Sequence, residues 1–249
     1  MELSAVHALF PAVRSAPLIL KGAGISSAEW RSVLPERTVG GPADQASPGQ
    51  AASAGAEAAG ATPEELAAII AEKEKACTSL ALRGVQFKTV PADYYDQDLA
   101  WRQNVLHATS TSQLCKSLIM ENTKLGDADL AKGYIKYVCV VVQYDARLHK
   151  EKLGMALRDI EVGKGLPALG RKQYNMRLVD EATSDELSGA THNAVTPIGM
   201  KTELPMVMSH LIADLDACWL GGGHVQIKAR VELPELLKAF KPKVAEITY

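Results

Sequence analysis

The segment at positions 192–199, with the sequence HNAVTPIG, has the residue types of a turn whose backbone is held in one conformation. Asn193 tolerates a left-handed backbone, and Pro197 restricts the chain where it leaves the turn. Backbone N–H groups fixed near 194–196 have the chemistry to bind an ester carbonyl or the oxyanion that develops when the ester is attacked. An ordinary turn between strands accounts for the same residues, and the residues alone favour that interpretation.

A second segment combines three consecutive glycines, Gly221, Gly222 and Gly223, with His224. Glycines in this arrangement permit a tight hairpin turn or the close approach of a ligand to the backbone. The imidazole of His224 has the chemistry to polarise a substrate group or to hydrogen-bond a ribose, although a lone histidine more often has a structural role. A binding turn and a plain hairpin therefore remain as alternatives.

Lys116 is a single cation among apolar residues in the sequence LCKSLI at positions 114–119. Its ammonium group suits a phosphate or a carboxylate-like group at the rim of a pocket. A solvent-facing lysine whose aliphatic stem packs on the protein explains the same pattern, and the residues alone favour that interpretation. We predict a helix in this segment, capped by Ser110 or Ser112.

The overall composition excludes several classes of protein. The chain has 249 residues, 47% of them hydrophobic, so it can bury a sizeable core and is not wholly disordered or fibrous. A formal net charge of −2 argues against a histone-like protein that holds nucleic acid by bulk positive charge. The apolar runs are too short for a membrane span, and we expect a cytoplasmic protein without a secretory signal.

Neither a metal nor an organic cofactor is expected. The four cysteines lie far apart and form no CxxC pair, which predicts buried thiols and argues against a zinc site or a disulfide framework. In the segment KGAGISS at 21–27, Ser27 occupies the place of the third glycine of a dinucleotide-binding GxGxxG pattern.

The chain divides into three parts by composition. Residues 40–62 are rich in alanine and glycine and contain no large apolar or aromatic side chain, which predicts a flexible linker. The linker separates an N-terminal extension, residues 1–39, which is too poor in large apolar residues to form a domain of its own. This extension is either a docking segment or mostly disordered. Residues 63–249 form the main domain.

Strand and helix patterns alternate through the main domain, which indicates a mixed α/β or α+β fold. The run Tyr137–Val142 predicts a strand at the centre of a sheet. Apolar and polar residues alternate from Val225 to Val231, which predicts a strand with one solvent-facing side. Other helices are predicted at 63 to about 82, at 99–106, 150–157 and 184–187 and from Pro234 onward, and other strands at 86–90, 176–179, 205–208, 217–220 and 244–247.

Taken in order, these segments resemble the YbaK family, the prolyl-tRNA-synthetase-associated editing domains that hydrolyse wrongly charged tRNA. The resemblance covers about residues 99–247. It depends on a lysine in a K-[ST]-L motif, a G-x-x-x-P loop, and a late glycine-rich hairpin followed by an alternating strand and a closing helix. The matching residues are Lys116, the loop Asn193, Ala194, Val195, Thr196 and Pro197, and the glycines Gly221, Gly222 and Gly223.

The resemblance implies a partly closed, barrel-like mixed sheet flanked by helices, with aminoacyl-tRNA deacylase activity. It assigns the lysine most closely tied to activity, near the tRNA 3′ end, to Lys116. It places the 193–197 loop at the amino-acid pocket, and it loosely matches His224 to a functional histidine of some members. Two positions depart from the family pattern: Asn193 replaces the leading glycine of the loop, and Ser209 replaces a carboxylate often found near the pocket.

We therefore expect a trans-editing hydrolase that cleaves the ester between tRNA for proline and a wrongly attached alanine or cysteine. A prolyl site cannot strongly reject residues of similar or smaller size, because one methylene is worth only ~1–3 kcal/mol, so a second pocket must sort them. The alternative is a non-catalytic accessory protein that binds tRNA or a synthetase. In either case residues 1–39 are a candidate segment for docking to a synthetase or a multi-synthetase assembly.

Overall fold

The computed structural model describes residues 61–190 and 193–249. The expectations for the extension 1–39, for the linker up to residue 60, for the segment 21–27 and for His192 lie outside the described residues.

The described residues contain helices and strands interleaved along the chain. The helices are α1 (Pro63–Ser79), α2 (Leu99–Leu106), α3 (Asp127–Leu130), α4 (Lys150–Gly163), α5 (Glu181–Ser188), α6 (His210–Ala213) and α7 (Leu233–Phe240). The strands are β1 (Gln86–Thr89), β2 (Cys115–Asn122), β3 (Tyr137–Gln143), β4 (Met176–Leu178), β5 (Met206–Ser209), β6 (Ala217–Gly221), β7 (Ile227–Glu232) and β8 (Lys243–Ala245). A short 3-10 helix covers Tyr94–Asp96.

The strands form two sheets that meet at one edge. One sheet has five strands in the order β4-β2-β3-β5-β8, with parallel pairing of β5 to both β3 and β8. The other sheet is antiparallel and has the order β1-β7-β6. A parallel bridge between Leu114 and Trp219 joins the start of β2 to β6. The result is the mixed α/β, partly closed arrangement that the sequence predicted.

Strand β3 lies at the centre of the five-stranded sheet, as its apolar run predicted. Val138, Val140 and Val142 pack with Leu153 and Leu157 of α4 in one core cluster. The intervening residues of β3 face a second cluster, which the three-stranded sheet and the last helix also line. All four cysteines are buried and free, as expected.

Helix α1 begins where its sequence signals place it. The Thr62 side chain accepts a hydrogen bond from the Glu65 N–H, and the Glu65 carboxylate accepts one from the Thr62 N–H. This capping box satisfies backbone donors at the helix N-terminus, and Pro63 fits the first helical position, which needs no N–H donor. The helix ends at Ser79, before the predicted end near 82, because Ala81 adopts a left-handed backbone with φ 56°.

Two sequence predictions are wrong. The segment around Lys116 is strand β2, where a helix was expected, because seven residue pairs with β3 and three with β4 override its helical pattern. The alternating segment 225–231 becomes a strand only from Ile227, and its supposedly wet side includes Lys228, which is only 4% exposed. Among the described residues, no helix is long and apolar enough to cross a lipid bilayer.

Candidate functional site

Lys116 lies on β2 opposite Val142 of β3, close to the end of that strand. Its Nζ lies 5.8 Å from the ring centroid of Tyr144, which follows β3 directly. The side chain is half-buried, and this burial lowers the pKa of the Lys116 ammonium, while the nearby Asp145 carboxylate partly restores it. Strand geometry therefore fixes this cation against a tyrosine face, and a carboxylate favours its charged form.

A chain of hydroxyl groups connects the Lys116 region to the 193–197 loop. The Tyr144 hydroxyl donates to the Tyr95 hydroxyl at 3.5 Å. The Tyr95 hydroxyl in turn donates to the Asn193 carbonyl oxygen at 2.7 Å. The structure thus places Lys116 and the loop on the same tyrosine pair, although they are 77 positions apart in the sequence.

The 193–197 loop has the backbone conformation that its residue types predicted. Asn193 has φ 61°, in the left-handed region that asparagine tolerates better than most residues. Ala194 and Thr196 are fully buried, and the Thr196 hydroxyl accepts a hydrogen bond from the Ile198 N–H at 3.3 Å. This side-chain contact and the ring of Pro197 hold the exit of the turn.

Three consecutive backbone donors of the loop have no acceptor within the part of the chain that the structure describes. None of the hydrogen bonds among residues 61–190 and 193–249 is donated by the N–H groups of Ala194, Val195 or Thr196, and residues 191–192, directly before the loop, lie outside the described residues. Most buried backbone N–H groups in proteins are paired, so the donors of this partly buried loop, which have no acceptor among the described residues, are candidates for binding an oxygen atom.

The triple glycine packs directly against this loop. The Gly223 N–H donates to the Ala194 carbonyl at 3.2 Å. An added Cβ on Gly221 would lie 2.6 Å from the Val195 carbonyl oxygen and 3.1 Å from that of Ala194. Gly223 has φ 92°, which residues with a side chain rarely adopt. The glycines therefore allow the close approach of two backbone segments, which the sequence analysis did not anticipate, and the approach of a ligand to them stays a prediction.

His224 belongs to the turn that follows the glycines. Its Nδ1 accepts a hydrogen bond from the Gln226 N–H at 3.2 Å, and its carbonyl accepts one from the Ile227 N–H. Partial burial and the neighbouring Lys228 lower the pKa of the imidazole, which Glu65 partly offsets. These contacts orient His224 within its own turn, and its predicted role toward the substrate stays a prediction.

The sequence analysis missed a buried group of aromatic and cationic side chains beside the loop. We call it the tyrosine–cation cluster, and its members are Tyr94, Tyr95, Arg102, Tyr144 and Lys228. The Arg102 guanidinium lies 5.4 Å from the Tyr94 and Tyr95 rings and 5.6 Å from Tyr144, and it donates to the Tyr95 carbonyl. In the sequence, the signal for Lys228 is its position in a segment of alternating apolar and polar residues. A strand with one solvated face explains that position equally well.

Lys228 is the most strongly perturbed cation of the cluster. Its Nζ lies 4.3 Å from the Tyr95 ring centroid and donates to the Tyr95 hydroxyl at 2.7 Å. Burial, reinforced by the positive charge of Arg102, lowers the pKa of Lys228 to about 7. The hydroxyl of Ser209 is fully buried and has no hydrogen-bond partner among the described residues.

Comparison with known proteins identifies the fold. No protein-family model matches the chain, and no curated protein matches it in sequence. A crystal structure of "a putative trans-editing enzyme for prolyl tRNA synthetase" matches with a TM-score of 0.55 and 18% identity, over 76% of this chain and 99% of that one. A scaffold structure from computational epitope grafting matches with a TM-score of 0.53 and 18% identity, over 73% and 97%.

A third structure, of a hypothetical protein, matches with a TM-score of 0.50 and 19% identity, over 71% of this chain and 98% of that one. All three structures are covered almost completely by this chain. At these identities the likeness shows the fold, which this chain shares with the trans-editing protein, and leaves the activity to be argued from the site.

Proposed function

We propose that this protein is a trans-editing hydrolase that deacylates wrongly charged tRNA for proline, with alanine or cysteine as the amino acid removed. The observation that carries the proposal is the row of N–H donors at 194–196, which have no acceptor among the described residues, lie against the glycine turn and are connected through two tyrosines to Lys116. The fold likeness to a trans-editing protein supports it.

In the proposed reaction, the ester carbonyl oxygen accepts hydrogen bonds from the loop N–H groups. These donors stabilise the negative charge that develops on the oxygen when water attacks. The Lys116 ammonium holds the terminal nucleotide of the tRNA through its phosphate, and so keeps the ester in place. Water attacks the carbonyl carbon, the bond between that carbon and the ribose oxygen breaks, and a proton of the water passes by way of the neighbouring free ribose hydroxyl to the leaving ribose oxygen. The products are the free amino acid and intact tRNA.

This mechanism uses positioning and no covalent intermediate. Among the described residues no group of three or more His, Cys, Asp or Glu side chains could hold a metal ion. The four thiols are buried, and burial raises the pKa of Cys139 to about 12, which makes it a poor nucleophile at neutral pH.

A panel of aminoacyl-tRNAs tests the proposed function. Full-length protein is incubated with tRNA for proline carrying alanine, cysteine or proline, and the remaining ester is measured over time. We expect hydrolysis of the alanyl or cysteinyl ester and none of the prolyl ester. The same amino acids on their own cognate tRNAs separate recognition of the amino acid from recognition of the tRNA. Absence of hydrolysis across the panel would contradict the proposal.

A second candidate is a non-catalytic accessory protein that binds tRNA or a synthetase. The buried Ser209, at the position where the family often has a carboxylate, favours it, because no acidic side chain there would orient a water molecule. Binding of aminoacyl-tRNA without any loss of the ester would establish this candidate. Residues 1–39 are then the proposed docking segment, and their deletion would abolish binding to a synthetase.

A further inference from the structure

We propose that Lys228 and Tyr95 form a positioning pair that sets the direction of the loop N–H groups toward the ester carbonyl. The inference rests on the proposed function for the identity of the substrate. Its geometric part concerns the protein alone, and that part can be tested without a substrate.

Hydrogen-bond accounting fixes the direction of the single Tyr95 proton. The Tyr95 hydroxyl accepts from the Lys228 Nζ at 2.7 Å and from the Tyr144 hydroxyl at 3.5 Å. A phenol has one proton to donate, and both neighbours already use its acceptor capacity. The proton is therefore available for the Asn193 carbonyl, which lies 2.7 Å away.

The Asn193 carbonyl and the Ala194 N–H belong to the same planar peptide unit. Rotation of this plane moves both groups together, so a hydrogen bond that fixes the carbonyl also fixes the first of the three loop donors. On the opposite side, the Gly223 N–H holds the next carbonyl, that of Ala194. Tyr95 thus controls one end of the donor row, and the glycine turn controls the peptide unit that follows.

The surroundings of Lys228 suit a hydrogen-bond donor better than an exposed charge. Its neighbours are Arg102 on α2, Tyr94 and Tyr95 on the 3-10 helix, and His224 in the turn before β7. The residue opposite it on β1 is another cation, Lys88, whose Nζ donates to the Val105 carbonyl. No carboxylate is among these groups.

The hydrogen bond from Lys228 to Tyr95 does not require Lys228 to be charged. The Lys228 Nζ has two acceptors, the Tyr95 hydroxyl at 2.7 Å and the Val225 carbonyl at 3.1 Å. A neutral amine has two N–H groups, which match these two acceptors. The pKa of about 7 is therefore compatible with an ordered pair at neutral pH and above.

The test combines two conservative substitutions with a matched control. Tyr95→Phe keeps the ring that contacts Arg102 and removes only the hydroxyl, and Lys228→Met keeps the aliphatic stem. Lys88→Met is the control, because it removes a lysine from the facing position of the neighbouring strand without touching the pair. Amide hydrogen exchange of the peptide covering 193–198 is measured in full-length protein, together with single-turnover deacylation of alanyl-tRNA for proline.

We expect faster exchange in the 193–198 peptide for both variants and no change for Lys88→Met. The rate constant for deacylation should fall by about 10- to 100-fold in each variant while the affinity for tRNA is unchanged, because misplacement of donors impairs the chemical step. The double variant should be no slower than the slower single variant, since both substitutions break the same chain.

If amide hydrogen exchange of the 193–198 peptide is unchanged in both variants, the positioning pair is wrong. It is also wrong if the fold-losses in deacylation rate constant of the two single variants multiply in the double variant. If the wild-type protein hydrolyses no ester but the exchange of the loop still responds to both substitutions, the positioning pair stands and the proposed function fails. The two parts of the inference are thereby separated.

Discussion

Two lysines of this protein pack against tyrosine rings in different electrostatic surroundings. Lys116 lies on the five-stranded sheet, half-buried, with the Asp145 carboxylate favouring its charged form. Lys228 lies on the three-stranded sheet, only 4% exposed, with the Arg102 guanidinium opposing its charge. Burial lowers the pKa of both amines, but the nearby charge raises the pKa of Lys116 and lowers that of Lys228 further, so the surroundings of each lysine set how readily it carries a charge.

The two lysines are therefore suited to different roles. A charged amine with partial access to solvent suits an anionic group of a substrate, such as the phosphate of a terminal nucleotide. A buried amine with two fixed acceptors suits a permanent hydrogen bond inside the protein. Lys116 lies near the ring of Tyr144 and Lys228 donates to the Tyr95 hydroxyl, and the hydrogen bond between these two tyrosines connects both lysines to the loop.

The substitution Lys116→Met should have the largest effect, and the effect is on the deacylation rate constant. In the proposed reaction the Lys116 charge holds the substrate in the reacting geometry, so its loss should lower the deacylation rate constant on the order of 100-fold, or ~2.7 kcal/mol. The free energy of unfolding should change little, because the ammonium is only half-buried. Single-turnover deacylation and urea unfolding measure the two quantities.

Lys136→Met is the matched control for this substitution. Lys136 is also half-buried, and its Nζ lies 5.1 Å from the ring centroid of Tyr137 at the other end of the sheet. Removal of this amine should leave the rate constant within about two-fold. If the two variants lose the same activity, the assignment of Lys116 to substrate binding is wrong.

The second expected effect is a dependence of stability on pH that requires Lys228. An unfolded lysine binds its proton up to about pH 10.4, whereas the folded Lys228 releases its proton above about 7. Between these values the unfolded chain binds more protons, so the free energy of unfolding rises with pH. Relative to Lys228→Met, the wild type should gain ~2 kcal/mol between pH 7 and 9.

Urea unfolding of both proteins at several pH values measures this difference. Below pH 6 the difference should be flat, because Lys228 is protonated in both the folded and the unfolded chain. A difference that stays constant from pH 7 to 9 would mean that Lys228 keeps its proton, and the contrast with Lys116 would disappear.

The sequence predicted the elements whose signals are local and the centre of the sheet. The capping residues before α1 and the apolar run of β3 have one physical interpretation each, and the structure confirms both. The segment around Lys116 carries helix-compatible residues, and only its pairing with β3 and β4 makes it a strand. Such pairing joins residues that are distant in the chain, so the local residue pattern of one sequence does not predict it.

The same limit applies to the candidate site. The left-handed conformation of Asn193 follows from its residue type, whereas the packing of the glycines against the loop was not predicted. The position of Tyr95 between Lys228 and the loop depends on three elements that meet only in the folded chain. Alternation on β7 predicted an exposed Lys228, because a two-residue period shows which side chains share a face and not whether that face is covered.

The smallest expected effect comes from Asn193→Gly, which tests whether the loop depends on its backbone or on the Asn193 side chain. Tyr95 binds the backbone carbonyl of Asn193, and glycine adopts φ 61° without strain, so the Lys228–Tyr95 pair keeps its acceptor. We expect deacylation within about two-fold of wild type and a change in stability below ~0.5 kcal/mol. Asn193→Val, with a branched side chain in the left-handed region, should cost ~1–2 kcal/mol. A large loss of activity in Asn193→Gly would mean that the amide side chain contacts the substrate, and positioning through Tyr95 would not suffice to explain the loop.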